Sequence, residues 1–306
     1  MTSLAIITPS YRPDLEGFRR LHQSVRLYSD REVVHHVIVP RRDARLFRAI
    51  GSDRLVVWTY GEVLPSQLIP TGLIAAAMRK LPAWPSSFNC AAINRNRPWK
   101  PVRGWVLQQI VKMCMVELLD ADIFLNIDSD VVLVRRITPE HFLDGGAVRL
   151  YAWEDAVRPD MGHHRWAETA HNLLGLPWNP EDHYPDHIAG LVSWDTGLLR
   201  RCLDRVEEVA DKPWAVAIAE QLHFSEDLLY GTYVRSFGNE QDRSNQRETT
   251  LCHSYWEPEA MEAAEVDGFV SKFTEEHRAV HIQSNTDTED QVFRTVIQRL
   301  SEPTAP

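Results

Sequence analysis

The segment Ile123-Phe124-Leu125-Asn126-Ile127 constrains this chain most. It runs straight into Asp128-Ser129-Asp130 and then into a second apolar run, Val131-Val132-Leu133-Val134. A short, continuous apolar run bounded by polar residues predicts a strand covered on both faces, as in a parallel sheet. The residues before it predict a helix buried as deeply. Val106/Leu107, Ile110/Val111, Cys114/Met115 and Leu118/Leu119 are apolar pairs four apart, a stripe too wide for a surface helix. Gln108 and Lys112 share another face of that helix.

The N-terminal part extends the pattern. Leu4-Ala5-Ile6-Ile7, stopped by Thr8-Pro9-Ser10, reads as a buried strand. A helix over about Asp14–Tyr28 carries Leu15, Phe18, Leu21, Val25 and Leu27 at near-helical spacing. Val37-Ile38-Val39, a helix over Asp43–Ile50 and Leu55–Trp58 follow. This order predicts an α/β fold: one large domain with a mostly parallel, Rossmann-like sheet flanked by helices. In such sheets ligands gather at the carboxyl ends of the strands, where the loops Thr8–Arg12 and Pro40–Asp43 are expected. Residues 61–104, with Pro65, Pro70, Pro82, Pro85, Pro98 and Pro101 and a helical patch near Leu73–Lys80, read as an irregular excursion. It either covers a site or packs passively. Further on, Ile188–Trp194 predicts a strand, Thr196 can cap a helix with Leu199, Cys202, Leu203 and Val206, and Pro213–Leu222 predicts another helix. Val280–Gln283 is a short late strand, and Ser301–Pro306 a disordered tail.

Composition excludes several functions. The net charge of −10 argues against nucleic-acid binding through a basic surface. An anionic partner would need a local device such as a cation, an Arg cluster or a helix N-terminus. Cys90, Cys114, Cys202 and Cys252 lie far apart with no Cys-x-x-Cys pair, which suits a reducing compartment and no zinc knuckle. No segment reaches the length of a signal peptide's apolar core or a membrane span. A cytoplasmic location is expected, with peripheral membrane contact left open.

Two acidic groups are candidates for chemistry. A bare Asp-x-Asp is weak evidence, and Asp120-Ala121-Asp122 is a second match, at a helix-to-strand turn where polar residues are ordinary. Asp128 and Asp130 instead follow a buried strand, so they need a partner that offsets desolvation. A hard divalent cation fits, and an ion pair with Arg135 or Arg136 is the alternative. Glu226 and Asp227 stand at a helix start, where Ser225 can cap and the dipole favours acids. Either could also serve as a general base.

Taken together, the strand, the Thr8-Pro9-Ser10-Tyr11 loop, the long helix and Asp128-Ser129-Asp130 resemble the GT-A fold of nucleotide-sugar glycosyltransferases. More narrowly, the segments Gly104–Lys112, Phe224–Tyr233 and His281–Ser284 resemble an uncharacterised bacterial GT-A-like family. The resemblance implies a metal-dependent glycosyltransferase that takes a UDP- or GDP-sugar and a hydroxyl acceptor, either carbohydrate or small molecule. Mn2+ or Mg2+ would be held by Asp128, Asp130 and a late histidine, His281, with His253 in reserve. Asp128 and Ser129 would face the donor, over which Thr8, Pro9 and Tyr11 would line the ribose and Asp43 accept from it. Gln108 and Lys112 would meet its phosphate or sugar, although Lys112 could pair with Asp120 or Asp122 instead. Asp195 would contact the sugar or only help cap a helix. Glu226 is preferred over Asp227 as the catalytic carboxylate. Residues 1–134 would bind the donor, and residues 135–300 the acceptor. The paired residues His35-His36 and His163-His164 read as ordinary strand or surface positions. A metal-dependent nucleotidyltransferase lacks its Gly-rich phosphate loop here, and a degenerate carbohydrate-binding module would have no use for the acids.

Overall fold

The computed structural model of the chain describes residues 2–71, 90–95 and 101–302. The helical patch expected near Leu73–Lys80, with Pro82, Pro85 and Pro98, lies outside them. The central sheet contains β1 (Leu4–Pro9), β2 (Val34–Val39), β3 (Leu55–Thr59) and β4 (Ile123–Ile127). Through the Asp128–Asp130 turn β4 passes into β5 (Val131–Leu133), which leaves the central sheet. The fifth central strand is β6 (Leu191–Asp195), and the spatial order is β6-β4-β1-β2-β3. β1, β2, β3 and β4 pair in parallel, whereas β6 runs antiparallel to β4, with Leu191 opposite Ile127 and Asp195 opposite Ile123.

The unbroken apolar runs follow from two-sided burial. Ala5, Ile7 and Phe124 face one core, with Val106, Ile110 and Val111 of the helix Gly104–Cys114. Leu4, Ile6, Leu125 and Ile127 face the other, with Leu21 and Val25. Burying each such side chain contributes about 1.5–3 kcal/mol, and no polar position is needed for solvent. Helix α1 (Leu15–Tyr28) buries Phe18, Leu21 and Val25, while α2 (Gly104–Cys114) buries nearly its whole length before a short 3-10 turn, Met115–Glu117.

The excursion at 61–104 holds a small antiparallel sheet of Leu68–Pro70, Cys90–Asn94 and Val102–Arg103. The histidine- and tryptophan-rich stretch contains helix α3 (Gly162–Leu174), closed by Gly175 in the left-handed region at φ 68°. Its apolar face is Ala167, Ala170, Leu173 and Leu174. His163 and His164 lie on this helix, whereas His35 and His36 are in β2, as expected. Helices α4 (Thr196–Ala210) and α5 (Glu226–Phe237) pack on the same core as α2. β5 forms a second sheet with β7 (Cys252–Tyr255) and β8 (Ala279–Ile282), in the order β7-β8-β5. The last helix, α6 (Asp290–Leu300), covers that sheet with Val292, Phe293 and Val296. The start of the expected tail is tied down. The Glu302 amide donates to the Val134 carbonyl, and its own carbonyl accepts from the Tyr28 hydroxyl at 2.9 Å. Among the described residues no helix is long and apolar enough to cross a membrane.

Candidate active site

The turn after β4 is held from several sides. The Asp128 amide donates to the Gly190 carbonyl at 3.1 Å, and the Val131 amide closes the turn on the Asp128 carbonyl at 3.1 Å. β8 places His281 beside it, with Nε2 3.4 Å from Asp130 Oδ1, and the Ser284 amide donates to Asp130 Oδ2 at 3.0 Å. Burial raises the Asp130 carboxyl, but the hydrogen bonds from His281 and Ser284 outweigh it and hold the group below the ordinary carboxylate range. Gly190 permits this approach: a Cβ there would come within 3.2 Å of the His281 ring. Trp256, about half exposed, meets that ring edge-on at 4.4 Å.

Opposite His281, Lys112 of α2 reaches across to α5. Its Nζ is 2.8 Å from Glu226 Oε1 and 3.5 Å from Asp128 Oδ1. Burial alone would lower this ammonium, but Glu226, Asp128 and Asp227 overcome it and hold Lys112 charged. Lys112 therefore pairs with neither Asp120 nor Asp122. The Asp122 carboxylate accepts from the Ser3 amide and hydroxyl instead, at 2.7 and 2.9 Å. Among the described residues, the side-chain amide that meets Glu226 belongs to Gln109, whereas Gln108 is half-buried one position earlier. Gln109 and Lys112 are three apart on α2, a spacing that puts them on one face. Ser225 caps α5 as expected, its hydroxyl accepting from the Leu228 amide at 3.4 Å. Asp227 is buried and its Oδ1 has no hydrogen-bond partner. Burial, then Glu226, Asp128 and Asp186, push its carboxyl well up against the opposing pull of Lys112, so it is held neutral.

The N-terminal loop departs from expectation. Thr8 is fully buried. Its hydroxyl donates to the Ile127 carbonyl at 2.7 Å and lies 3.0 Å from His35 Nε2, so it braces the strand before the acidic turn and cannot line a ribose. Pro9 is buried with it. Asp43 is 3% exposed and accepts from the Arg12 amide at 3.1 Å, which shapes the loop after β1. Tyr11 alone of these four is exposed. It lines a cavity of about 450 Å³ together with Asp14, Ser129, Asp130, Gln283 and Ser284. Asp14 is a site residue that sequence reasoning missed. It starts α1, accepts from the Ser129 hydroxyl at 3.4 Å, and burial with the Asp130 charge raises its carboxyl to about 6. A second cavity of about 500 Å³ lies at the other end of α1, where Arg54 spends its guanidinium on the carbonyls of Val33, Arg26 and Ser29.

Three further readings left open by the sequence are decided. Asp195 sits at the opposite strand end from Asp128, because β6 is antiparallel, and of its two expected roles the structure shows the helix cap. Its carboxylate accepts from the Leu198 amide at 2.7 Å, so Asp195, rather than Thr196, caps α4. His253 stacks on Phe269 and bonds its carbonyl at 2.8 Å, away from Asp130. Arg135 pairs with Glu302 at 3.1 Å and Arg136 with Asp30, so neither neutralises the acidic turn.

Asp128, Glu226 and Asp227 thus meet one buried ammonium, while Asp14 and Asp130 lie on the other side of the turn, and the site carries excess negative charge. Among the described residues no three His, Cys, Asp or Glu side chains are grouped so as to hold a metal ion by themselves. Asp130, which lines the cavity, and His281, 3.4 Å from it, are an oxygen and a nitrogen donor on one side, so a cation there would need further ligands from a bound substrate. Mg2+-like ions in phosphate sites are bound that way, through one or two carboxylates plus substrate oxygens.

A family model described as "Family of unknown function (DUF6492)" matches residues 2–304. No curated protein matches the sequence. Among solved structures, mouse xyloside xylosyltransferase 1 is similar at 13% identity and a TM-score of 0.48, over 94% of this chain and 99% of that one. An active-site mutant of LgtC gives 12% and 0.47, over 99% and 97%. WbbM, a bifunctional glycosyltransferase, gives 11% and 0.45, over 97% of this chain and 50% of its own.

Proposed function

The chain belongs to the DUF6492 family of unknown function, and we propose that it is a glycosyltransferase that moves a sugar from a nucleoside-diphosphate donor to a hydroxyl acceptor. One observation carries this reading: Asp130 Oδ1 and His281 Nε2 lie 3.4 Å apart at the carboxyl end of the central sheet, with Asp128 on the same turn. In this reading Asp128, Asp130 and His281 hold Mn2+ or Mg2+, which would supply positive charge against the donor diphosphate. The nucleotide occupies the cavity lined by Tyr11 and Ser129, whose volume is in the range of ligand pockets. Lys112 is shared between Asp128 and Glu226 and is the local cation that a diphosphate attracts. Drawing it away leaves Glu226 free to take the proton of the acceptor hydroxyl. Asp227, held neutral, is suited to donate a hydrogen bond.

The test is calorimetric titration of UDP and GDP with and without Mn2+. Binding of one nucleotide that requires the metal, and weakens about tenfold or more in Asp130→Asn, is expected. Equal metal-dependent binding by wild type and Asp130→Asn would overturn the reading. Release of pyrophosphate rather than nucleoside diphosphate from a nucleotide sugar would replace it with nucleotidyl transfer.

A further inference from the structure

Ten tryptophans are many for a chain of this length, and among the described residues three are about half exposed: Trp105, Trp153 and Trp256. Solvent-facing indoles leave apolar area in water and so need a reason. Trp256 has one in its contact with His281. The other two belong to a second arrangement.

Trp105, at the start of α2, stacks on Trp166 of α3 with centroids 5.7 Å apart and planes at 22°. Trp166 stacks in turn on His163, at 4.6 Å and 18°. The three rings form a ladder whose outer end is Trp105, 50% exposed, and whose inner end is His163, its side chain 36% exposed. Both ends are anchored to the transfer site. At the outer end, the Trp105 indole N–H donates to the Phe224 carbonyl at 2.8 Å, two residues before Glu226. At the inner end, His163 Nδ1 lies 3.9 Å from an oxygen of Asp186, whose charge acts on Asp227. Asp186 is on the short strand Tyr184–Asp186, where it pairs in register with Trp153 of the strand Trp153–Val157. Opposed residues in an antiparallel pair project to the same face. Trp153 is therefore the cross-strand neighbour of that carboxylate and a further exposed indole. Its strand is bulged there, with Asp155 at φ 54°.

We propose that Trp105, Trp166, His163, Trp153 and Asp186 form the acceptor subsite, and that its occupant is a sugar ring. A pyranose presents an apolar C–H face and a rim of hydroxyls. The exposed indoles of Trp105 and Trp153 offer apolar surfaces for the face, and Asp186 with His163 offers acceptors and donors for the rim. Asp186 already accepts from the Ile188 amide at 3.0 Å, but the buried Nδ1 of His163 has no hydrogen-bond partner, a need that a hydroxyl meets and a purely apolar partner does not. Continuity with Glu226 and Asp227 brings a hydroxyl of the bound sugar toward the donor. The name acceptor rests on the proposed glycosyl transfer, whereas sugar binding at the ladder does not.

The experiment titrates lactose, cellobiose and maltose into the full chain, followed by saturation-transfer difference NMR. At least one disaccharide should bind the wild type, and Trp105→Ala and Trp153→Ala should each weaken it about tenfold. Trp153 is a surface residue, so the second variant tests the subsite even where the first perturbs folding. The Mn2+-dependent binding of UDP or GDP is followed in the same variants and should be unchanged. No disaccharide binding by wild type, or binding that survives both substitutions, would overturn the subsite, even with nucleotide binding intact. Disaccharide binding lost in the variants, in a wild type that binds no nucleotide, supports the subsite while removing the transfer reaction.

Discussion

The ammonium of Lys112 lies 2.8 Å from the carboxylate of Glu226, 114 residues away, and both groups are buried. Such a pair adds little net stability over an apolar replacement, but removing one member strands a charge in a medium of low polarity. Lys112→Met is therefore expected to cost about 3–5 kcal/mol in urea unfolding, and Lys112→Met/Glu226→Met to recover most of it. A single mutant within about 1 kcal/mol of wild type would show that the pair is wetter or looser than its geometry implies.

Gly17 lets α1 approach the acidic turn. A Cβ at this position would lie 2.8 Å from the Ser129 carbonyl oxygen, closer than real contacts allow, and 3.9 Å from the Asp130 Cα. Alanine gains about 1 kcal/mol of helix propensity over glycine, but overpacking against backbone costs about 1–3 kcal/mol. The clash should win, because the opposing atom is a carbonyl and not the tip of a flexible side chain. Gly17→Ala is expected to lower stability slightly and to weaken Mn2+-dependent nucleotide binding by shifting Asp130. A variant more stable than wild type that binds nucleotide normally would show that the turn has room to yield.

The parts of this architecture legible in the sequence were those set by burial. Strand Ile123–Ile127 was read to its ends because an unbroken apolar run has few alternatives. The acidic turn was legible because polar residues directly after such a run need a reason. Strand direction leaves no mark on composition, so the sequence leaves Asp195 between sugar contact and helix cap, and the antiparallel β6, which puts it at the opposite strand end from Asp128, decides for the cap. Thr8 shows a related blind spot. The rule that ligands meet strand ends does not say which end residue points outward, and Thr8 points into the core. Helix Gly162–Leu174 was hidden because His and Trp occupy the positions between its small apolar residues, although Gly175 marked its end. The meeting of Gln109 and Lys112 with Glu226 depends on how two distant helices pack, and no local pattern encodes it.

The placement of Asp195 has a consequence that separates stability from function. Its carboxylate accepts from the Leu198 amide at 2.7 Å, and losing such a cap costs about 1 kcal/mol. Asp195→Ala should lower the thermal midpoint and leave the affinity for Mn2+ and UDP or GDP untouched. Loss of nucleotide binding at unchanged stability would return this residue to the donor site.

Beneath the acidic turn runs a buried relay. His22 Nδ1 lies 3.1 Å from His35 Nδ1, and His35 Nε2 lies 3.0 Å from the Thr8 hydroxyl, which donates to the Ile127 carbonyl. Because the Thr8 proton is committed, His35 Nε2 must donate to Thr8, and its Nδ1 must accept from His22. Both imidazoles are then neutral. Burial is the main cause, and neighbouring cationic groups add to it, lowering His22 to about 4 and His35 well below its ordinary value. The unfolded chain takes up these protons near pH 6.5, so between about pH 6.5 and 4 it binds more protons than the folded chain. Stability from these groups is therefore full above pH 6.5 and is lost as the pH falls, by up to about 1.4 kcal/mol per pH unit for each group. His36, His187 and His277, each lowered to about 4, act in the same direction. The raised carboxyls of Asp14 and Asp227 act in the opposite direction, since the folded chain keeps their protons. The five histidines outnumber them, so denaturant unfolding between pH 7 and 4.5 should show falling stability. His22→Phe should flatten that slope by close to one proton, and an unchanged slope would show that His22 is already protonated in the folded chain.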